Sequence, residues 1–206
     1  MEKEIVDRWK SSEYVDSVKK YISEIINERK NTTACDLRGI KIGIEGPLKD
    51  LWNANLDSVN IFDVDFSYST IAGSLAEGLF KNVNFSAAFI DRGVLFKAHF
   101  NNCNFTKAKL IVKMDDAVCE NCDFTDSEFK GGKSSREYGG RRVKFLNCNF
   151  SGTGFKGVEF RATKFINCNF SGTAFENSDF RGAKFEEIIP SENQFKKCEM
   201  PKLESD

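Results

Sequence analysis

The 206 residues of the chain suffice for one domain with a sizeable core, and they include 20 phenylalanines but a single histidine. Thirty lysines and arginines are balanced by 31 aspartates and glutamates, so net charge alone predicts no attraction to nucleic acid or to membranes. No apolar run approaches the ~20 residues that span a bilayer, and the N-terminus lacks a secretory signal, so we expect a cytoplasmic protein that does not bind membranes.

Residues 1–31 begin the chain with a helical pattern. Ser11 or Ser12 is a suitable N-cap, and Trp9 and Ile5 indicate a shorter apolar turn before the helix. The apolar residues at helical spacing are Val15, Val18, Ile22 and Ile25. We interpret this segment as a cap that shields the next part of the chain from edge-to-edge association, and a partner-binding helix is the alternative.

Residues 32–200 carry a repeat of five residues. Its most regular stretch consists of Phe145, Phe150, Phe155, Phe160, Phe165, Phe170, Phe175, Phe180 and Phe185. A step of five residues advances an α-helix by about 140° and sends successive side chains of a strand to opposite faces, so neither regular element explains the spacing. The chain must therefore turn between successive five-residue units.

The same register extends upstream with two slips of one residue. Its central residues are Leu56, Ile61, Phe66 and Ile71, then Leu75, Phe80, Phe85, Ile90, Leu95, Phe100, Phe105 and Leu110, then Met114, Cys119, Phe124 and Phe129. The sequence NCNFSGT at 147–153 recurs at 167–173, so four units make one turn of 20 residues. Two residues before each central residue stands a small or medium side chain, such as Cys148 or Thr163, and we expect both positions to point inward.

This pattern resembles the pentapeptide-repeat family, in which a small and a polar residue precede a central Leu or Phe and two polar residues follow. The match covers roughly residues 35–200. The resemblance implies an all-β fold, a right-handed quadrilateral β-helix of about seven coils, here with an N-terminal α-helical cap. Coils should stack at about 4.8 Å, with polar ladders at Asn84, Asn104, Asn149 and Asn169.

Two segments break the repeat, and a polar tail at 201–206 ends the chain. Residues 43–52 contain Gly46-Pro47 and predict an ordered excursion. Residues 131–142 read GGKSSREYGGRR and predict a loop insertion. Such a loop on a solenoid either carries function or is inert. We take as the candidate interaction site its residues Lys133, Arg136, Tyr138, Arg141 and Arg142.

The chemical motifs of the chain are explained by the repeat. Cys119 and Cys122 match the CxxC of zinc and redox sites, but both occupy inward positions. A zinc site needs four ligands, and His99 is the single histidine. We therefore predict no catalytic, cofactor or metal site and expect all seven cysteines to be free.

With no catalytic constellation, the sequence favours a scaffold for protein–protein interaction over an enzyme. The family resemblance implies an alternative, because some pentapeptide-repeat proteins mimic a DNA duplex, bind type II topoisomerases such as DNA gyrase and protect against quinolones. Residues 32–185 contain 20 basic and 18 acidic side chains, which opposes that alternative unless one face carries a negative stripe.

Two further expectations concern assembly and nucleic acid. Direct nucleic-acid binding through the basic residues of 131–142 is less favoured than protein binding, because the net charge of the repeat is close to zero. Relatives that dimerise do so through an apolar C-terminal helix, whereas residues 196–206 are polar and contain Pro201. We therefore expect a monomer.

Overall fold

The structure is a computed structural model, and it describes residues 2–131 and 137–200. These residues form α1 (Glu2–Asp7) and α2 (Ser12–Asn27), three short 3-10 segments (Arg8–Lys10, Lys49–Leu51 and Glu192–Gln194) and 17 short strands. The strands are β1 (Cys35–Asp36), β2 (Lys41–Ile42), β3 (Asn60–Phe62), β4 (Val64–Asp65), β5 (Thr70–Ser74), β6 (Leu79–Lys81), β7 (Phe89–Val94), β8 (His99–Asn101), β9 (Lys109–Lys113), β10 (Val118–Glu120), β11 (Glu128–Lys130), β12 (Lys144–Leu146), β13 (Gly154–Lys156), β14 (Lys164–Ile166), β15 (Ala174–Glu176), β16 (Lys184–Glu186) and β17 (Phe195–Lys196).

The strands form the faces of a parallel solenoid with about seven coils, which confirms the predicted fold class. The first face is the seven-stranded sheet β3-β6-β8-β10-β12-β14-β16, and the third face is the eight-stranded sheet β2-β5-β7-β9-β11-β13-β15-β17. The second face consists of the pair β1-β4 and single bridges through Asp65, Asn84, Asn104, Asp123, Asn149 and Asn169. The fourth face is bridged through Lys113, Gly139, Glu159, Asp179 and Glu199.

The two register slips of the sequence shorten the steps from Ile71 to Leu75 and from Leu110 to Met114, on the coils on either side of β7. As a result β7 bulges. This strand carries one more residue than either neighbour, because Ala72 pairs with Asp91 while Ser74 pairs with Val94. The same offset recurs against β9, where Asp91 pairs with Ile111 and Gly93 with Val112. The extra residue is absorbed locally, as in other β-bulges, so the coils above and below stay in register.

The central residues of the repeat point inward and stack from coil to coil, as predicted. Phe165 is fully buried, and its ring lies 5.1 Å from that of Phe145 and 4.9 Å from that of Phe185, with nearly parallel planes. Cys119 takes the corresponding position between Phe100 and Phe145. Each face thus contributes one column of side chains to the core, and the coils bury together what none could bury alone.

The small residue two positions before each centre also points inward, and several hydroxyls and thiols at this position join successive coils. The Thr153 hydroxyl donates a hydrogen bond of 2.6 Å to the carbonyl oxygen of Phe124, in the preceding coil. The Cys148 thiol donates in the same way to Cys119, at 3.4 Å. These side chains satisfy buried carbonyl groups, which explains why Thr and Cys are tolerated in the interior.

Asparagines form ladders along the corner between the first and second faces. Asn102 and Asn167 adopt positive φ angles of 54° and 52°, a conformation that Asn tolerates better than most residues. Asn102 Nδ2 donates to Asn82 Oδ1 at 2.7 Å, and Asn167 Nδ2 donates to Asn147 Oδ1 at 2.9 Å. At the predicted ladder positions, the Asn169 amide likewise donates to Asn149, at 3.1 Å.

The N-terminal helices pack on the first coil, which confirms the helical cap. Ser11 is the N-cap of α2 and accepts a hydrogen bond from the backbone nitrogen of Tyr14. The Arg8 guanidinium donates two hydrogen bonds to the Asp36 carboxylate, at 3.0 and 2.7 Å. Burial would raise the pKa of Asp36, but hydrogen bonds from Arg8 and Arg38 hold it well below its ordinary value.

Neither helix in the described part of the chain has the length and hydropathy that crossing a bilayer requires.

Candidate functional site

Two of the five predicted site residues, Lys133 and Arg136, lie outside the described residues. On either side of them the chain belongs to the coils. The Gly131 backbone nitrogen donates to Lys156, and that of Gly139 donates to Val112. Arg141 and Arg142 come after Gly139 and Gly140, and their backbones hydrogen-bond to adjacent coils, so they stand on a coil of the solenoid.

Gly139 creates a gap in the outward side chains of the fourth face. The column at this position runs through Val94, Lys113, Gly139 and Glu159. Gly139 has φ +117°, and a Cβ atom there would lie 2.1 Å from the carbonyl oxygen of Glu159. Only glycine fits such a position, because L side chains rarely adopt this conformation and the backbone of the next coil cannot move away cheaply.

The gap opens into a surface groove of about 390 Å³, which we name the fourth-face groove. Val94 and Phe96, each 38% exposed, line it from the coil that contains Leu95. Tyr138, half-buried, lines it where the chain re-enters the solenoid, and the Lys113 ammonium lies 5.9 Å from the centre of its ring. The groove therefore combines exposed apolar and aromatic surface with charged side chains.

Sequence reasoning identified Tyr138 but missed Val94 and Phe96. A signal was present, because the two residues flank the central Leu95 at positions that the repeat usually gives to polar side chains. In later coils the same positions carry charges, with Glu159 and Arg161 flanking Phe160. The apolar pair at outward positions therefore distinguishes this coil from the later coils in the sequence alone.

Arg141 and Arg142 are bound in ion pairs with adjacent coils. The Arg141 guanidinium binds the Glu159 carboxylate, and its backbone nitrogen donates to Asp115 at 2.9 Å. Arg142 donates two hydrogen bonds of 2.7 Å to Asp116. Hydrogen bonding to Arg142 lowers the pKa of the Asp116 carboxyl. Both arginines therefore hold coils together, and their charge is largely compensated.

Ion pairs between adjacent coils continue to the end of the fourth face. Asp179 accepts hydrogen bonds of 2.7 Å from Arg161 and from Arg181, and Arg181 also lies 3.0 Å from Glu199. Burial would raise the pKa of Asp179, but the hydrogen bonds from Arg181 and Arg161 hold it well below its ordinary value. Over the coils after Gly139, an acidic column of Glu159, Asp179 and Glu199 runs along this edge beside a basic column of Arg141, Arg161 and Arg181. Ion pairs between the two columns compensate the acidic charge.

The thiols of the CxxC sequence lie in the core. Cys119 and Cys122 are both buried, and burial raises the pKa of the Cys119 thiol well above its usual value. Across residues 2–131 and 137–200, no group of three or more His, Cys, Asp or Glu side chains could hold a metal ion. The lining of the groove combines the Phe96 and Tyr138 rings with charged side chains.

Comparisons with known proteins point to one family and one fold. The family model for a pentapeptide repeat region matches residues 141–204. The structure is similar to that of a trypsin-treated variant of QnrB1, a plasmid-mediated fluoroquinolone resistance protein, with a TM-score of 0.51 and 17% identity over 82% of this chain and 91% of that chain. This likeness is one of fold.

A weaker likeness is to HetL, a pentapeptide repeat protein involved in heterocyst differentiation regulation from the cyanobacterium Nostoc sp. strain PCC 7120. Its TM-score is 0.30 at 12% identity, over 89% of this chain and 97% of that chain. No curated protein matches the sequence.

Proposed function

We propose that the chain is a non-catalytic pentapeptide-repeat scaffold that binds a protein partner in the fourth-face groove. The observation that carries the proposal is the pair Val94 and Phe96, which stay exposed beside Tyr138 at positions where later coils present charged side chains. Contiguous exposed apolar surface on a soluble fold is typical of interaction sites.

The groove has the composition of a protein contact. Aromatic residues supply much of the binding energy of protein interfaces when a partner covers them, and burying an apolar side chain contributes about 1.5–3 kcal/mol. The Lys97 ammonium lies 4.8 Å from the centre of the Phe96 ring, so a cation already covers one side of that ring. The surrounding ion pairs of Arg141 and Arg142 keep the floor rigid, which lowers the entropic cost of binding.

Affinity capture with matched variants tests this proposal. The double variant Phe96→Ala with Tyr138→Ala should lose proteins that the parent chain captures from its native lysate. Leu79→Ala is the control, because Leu79 is 47% exposed on the first face, away from the groove. If the double variant captures the same proteins as the parent while its melting temperature is unchanged, the groove is not the binding site.

Topoisomerase binding is a second candidate, favoured by the fold that the chain shares with QnrB1. The charge distribution favours the first candidate, because arginines compensate the acidic column of the fourth face after Gly139 and a duplex mimic needs a negative surface. A gyrase supercoiling assay, with and without a quinolone, separates the two candidates. Inhibition or drug protection would establish topoisomerase binding, and no effect at tens of micromolar would reject it.

The proposal includes a monomeric, cytoplasmic protein. Light scattering tests the monomer, for which we expect a mass of about 23.3 kDa. Ile189 is 75% exposed near the C-terminal end of the solenoid. If a dimer forms through that end, Ile189→Asp should dissociate it.

A further inference from the structure

Three lysines stand directly above one another on the first face. Lys144 of β12 pairs in register with Lys164 of β14, which pairs with Lys184 of β16. All three are exposed, and neighbouring strands of a sheet lie about 4.8 Å apart, so the ammonium groups form a regular line along the solenoid axis. We name these residues the lysine column.

The lysine column differs from the other stacked cations in having no counter-charge. Arg141, Arg161 and Arg181 each bind an acidic side chain of a neighbouring coil. No ion pair joins Lys144, Lys164 or Lys184 to an acidic group in the described ranges 2–131 and 137–200. Like charges that face each other on adjacent strands destabilise a sheet, and no acidic partner among the described residues offsets the repulsion between these lysines. A bound anionic partner would offset this repulsion.

An apolar pair runs beside the column. Leu146 and Ile166 lie on the same strands as Lys144 and Lys164, two residues further along, and both are half-buried. Side chains at this spacing on one strand lie about 6.6 Å apart. Along the axis, Glu120 lies next to Leu146 and Glu186 lies next to Ile166. The apolar surface is therefore limited to Leu146 and Ile166.

We propose that the lysine column and the Leu146–Ile166 pair together dock an acidic amphipathic helix of a protein partner, lying along the solenoid axis. Acidic side chains three or four residues apart on a helix repeat every 4.5–6 Å or so, close to the coil spacing of about 4.8 Å. In an extended chain the repeat is about 6.6 Å, a poorer match. Apolar residues on the neighbouring stripe of the helix would cover Leu146 and Ile166.

This surface is separate from the fourth-face groove, and the inference does not depend on the function proposed for that groove. Duplex DNA is the competing polyanion. Its phosphates follow one another every 3.4 Å along the axis in each strand, and a duplex offers no apolar stripe for Leu146 and Ile166. The observations therefore favour the helix over nucleic acid.

The test measures binding of a labelled synthetic helix by fluorescence anisotropy at several salt concentrations. The peptide carries glutamates at helical spacing on one stripe and leucines on the next, and a scrambled peptide has the same composition. The parent protein should bind the helix more tightly than the scrambled peptide, with an affinity that falls as salt rises. Equal binding of the two peptides would overturn the proposal.

Two charge-reversal variants locate the site. Lys144→Glu, Lys164→Glu and Lys184→Glu together should weaken binding about tenfold or more, because three attractive contacts become repulsive. The control replaces Lys109, Lys156 and Lys196 on the third face by Glu, which changes the net charge equally. Equal losses in the two variants would mean that net charge, and not the lysine column, attracts the peptide, and the proposal would be rejected.

A third variant separates a helix from a mere polyanion. Ile166→Asn should weaken binding of the amphipathic helix several-fold while leaving binding of poly-glutamate unchanged, because only the helix contacts the apolar pair. Circular dichroism of each variant checks that the solenoid is intact. Tighter binding of a DNA duplex than of the helix at physiological salt, lost in the lysine-column variant, would reject the helix and assign the surface to nucleic acid.

Discussion

The indole nitrogen of Trp9 donates a hydrogen bond of 2.8 Å to the carbonyl oxygen of Arg38, and this contact joins the helical cap to the first coil. Trp9 is almost completely buried, and the Arg8 guanidinium beside it binds Asp36 and the same Arg38 carbonyl. The open edge of the first coil is thereby covered by side chains that also satisfy its polar groups.

Replacing Trp9 tests how much the cap contributes. Trp9→Ala should lower the free energy of unfolding by about 3–5 kcal/mol, because it removes a large buried side chain. Trp9→Phe keeps most of the packing and loses the hydrogen bond, so it should cost about 1 kcal/mol beyond any loss of contact. Urea denaturation measures both. Equal, small losses would show that the cap is only loosely attached.

The stacked rings should dominate stability. Phe165→Ala should destabilise the fold by about 3–5 kcal/mol, since the ring is fully buried between Phe145 and Phe185. Phe62→Ala is the control, because Phe62 is exposed on the first face and should cost less than about 1 kcal/mol. Similar denaturation midpoints for the two variants would contradict the assignment of the core.

Gly139 should tolerate no side chain. Gly139→Ala places a Cβ atom against the Glu159 carbonyl at a φ that L residues avoid, so we expect a loss of about 1–3 kcal/mol. In Gly154→Ala the new Cβ atom meets no atom within 4 Å, and the change should be nearly neutral. Thermal melts of the pair compare them directly, and a neutral Gly139→Ala would show that the groove floor can shift.

The pH dependence of stability should report on Asp179. Its pKa in the folded protein lies below the ordinary value of about 3.9, so its charge stabilises the fold above about pH 4 and that stabilisation is lost as the pH falls toward the folded-state pKa. Asp179→Asn should cost about 1–3 kcal/mol at pH 7 and flatten the fall in stability below pH 4.

The control for Asp179 is Asp50→Asn, at an exposed aspartate in a 3-10 segment. It should leave the stability at pH 7 unchanged, because the side chain is exposed. Asp36 has a lowered pKa as well, so part of the acid sensitivity should persist in Asp179→Asn. An unchanged pH profile in Asp179→Asn would mean that the Arg161 and Arg181 contacts are too exposed to matter.

Thiol reactivity should separate Cys198 from the other six cysteines. Six of the seven thiols are buried and Cys198 is half-buried. Burial raises the pKa of Cys35 to about 12, and the thiolate is the reactive form. A thiol reagent should therefore modify one cysteine quickly in the native protein and all seven after denaturation. Rapid modification of several native thiols would contradict the inward placement of Cys103, Cys122, Cys148 and Cys168.

The solenoid was readable from the sequence because its core positions are periodic. A strict step of five residues, with turns of 20, leaves few ways to bury Phe145, Phe165 and Phe185 on one side of the chain. Each residue near the core also contacts its own position in the next coil, so local pattern and tertiary contact coincide. The inward thiols Cys119 and Cys122 followed from the same register.

What only the tertiary structure decided is how outward residues meet across coils. The string GGKSSREYGGRR indicated a basic loop, whereas Arg141 and Arg142 stand on a coil and bind Glu159 and Asp116, 18 and 26 residues away. The repeat defines which residues point outward, but it imposes no charge or size on them. Their partners depend on coil spacing and on the length of each interruption, and these became visible once the coils were stacked.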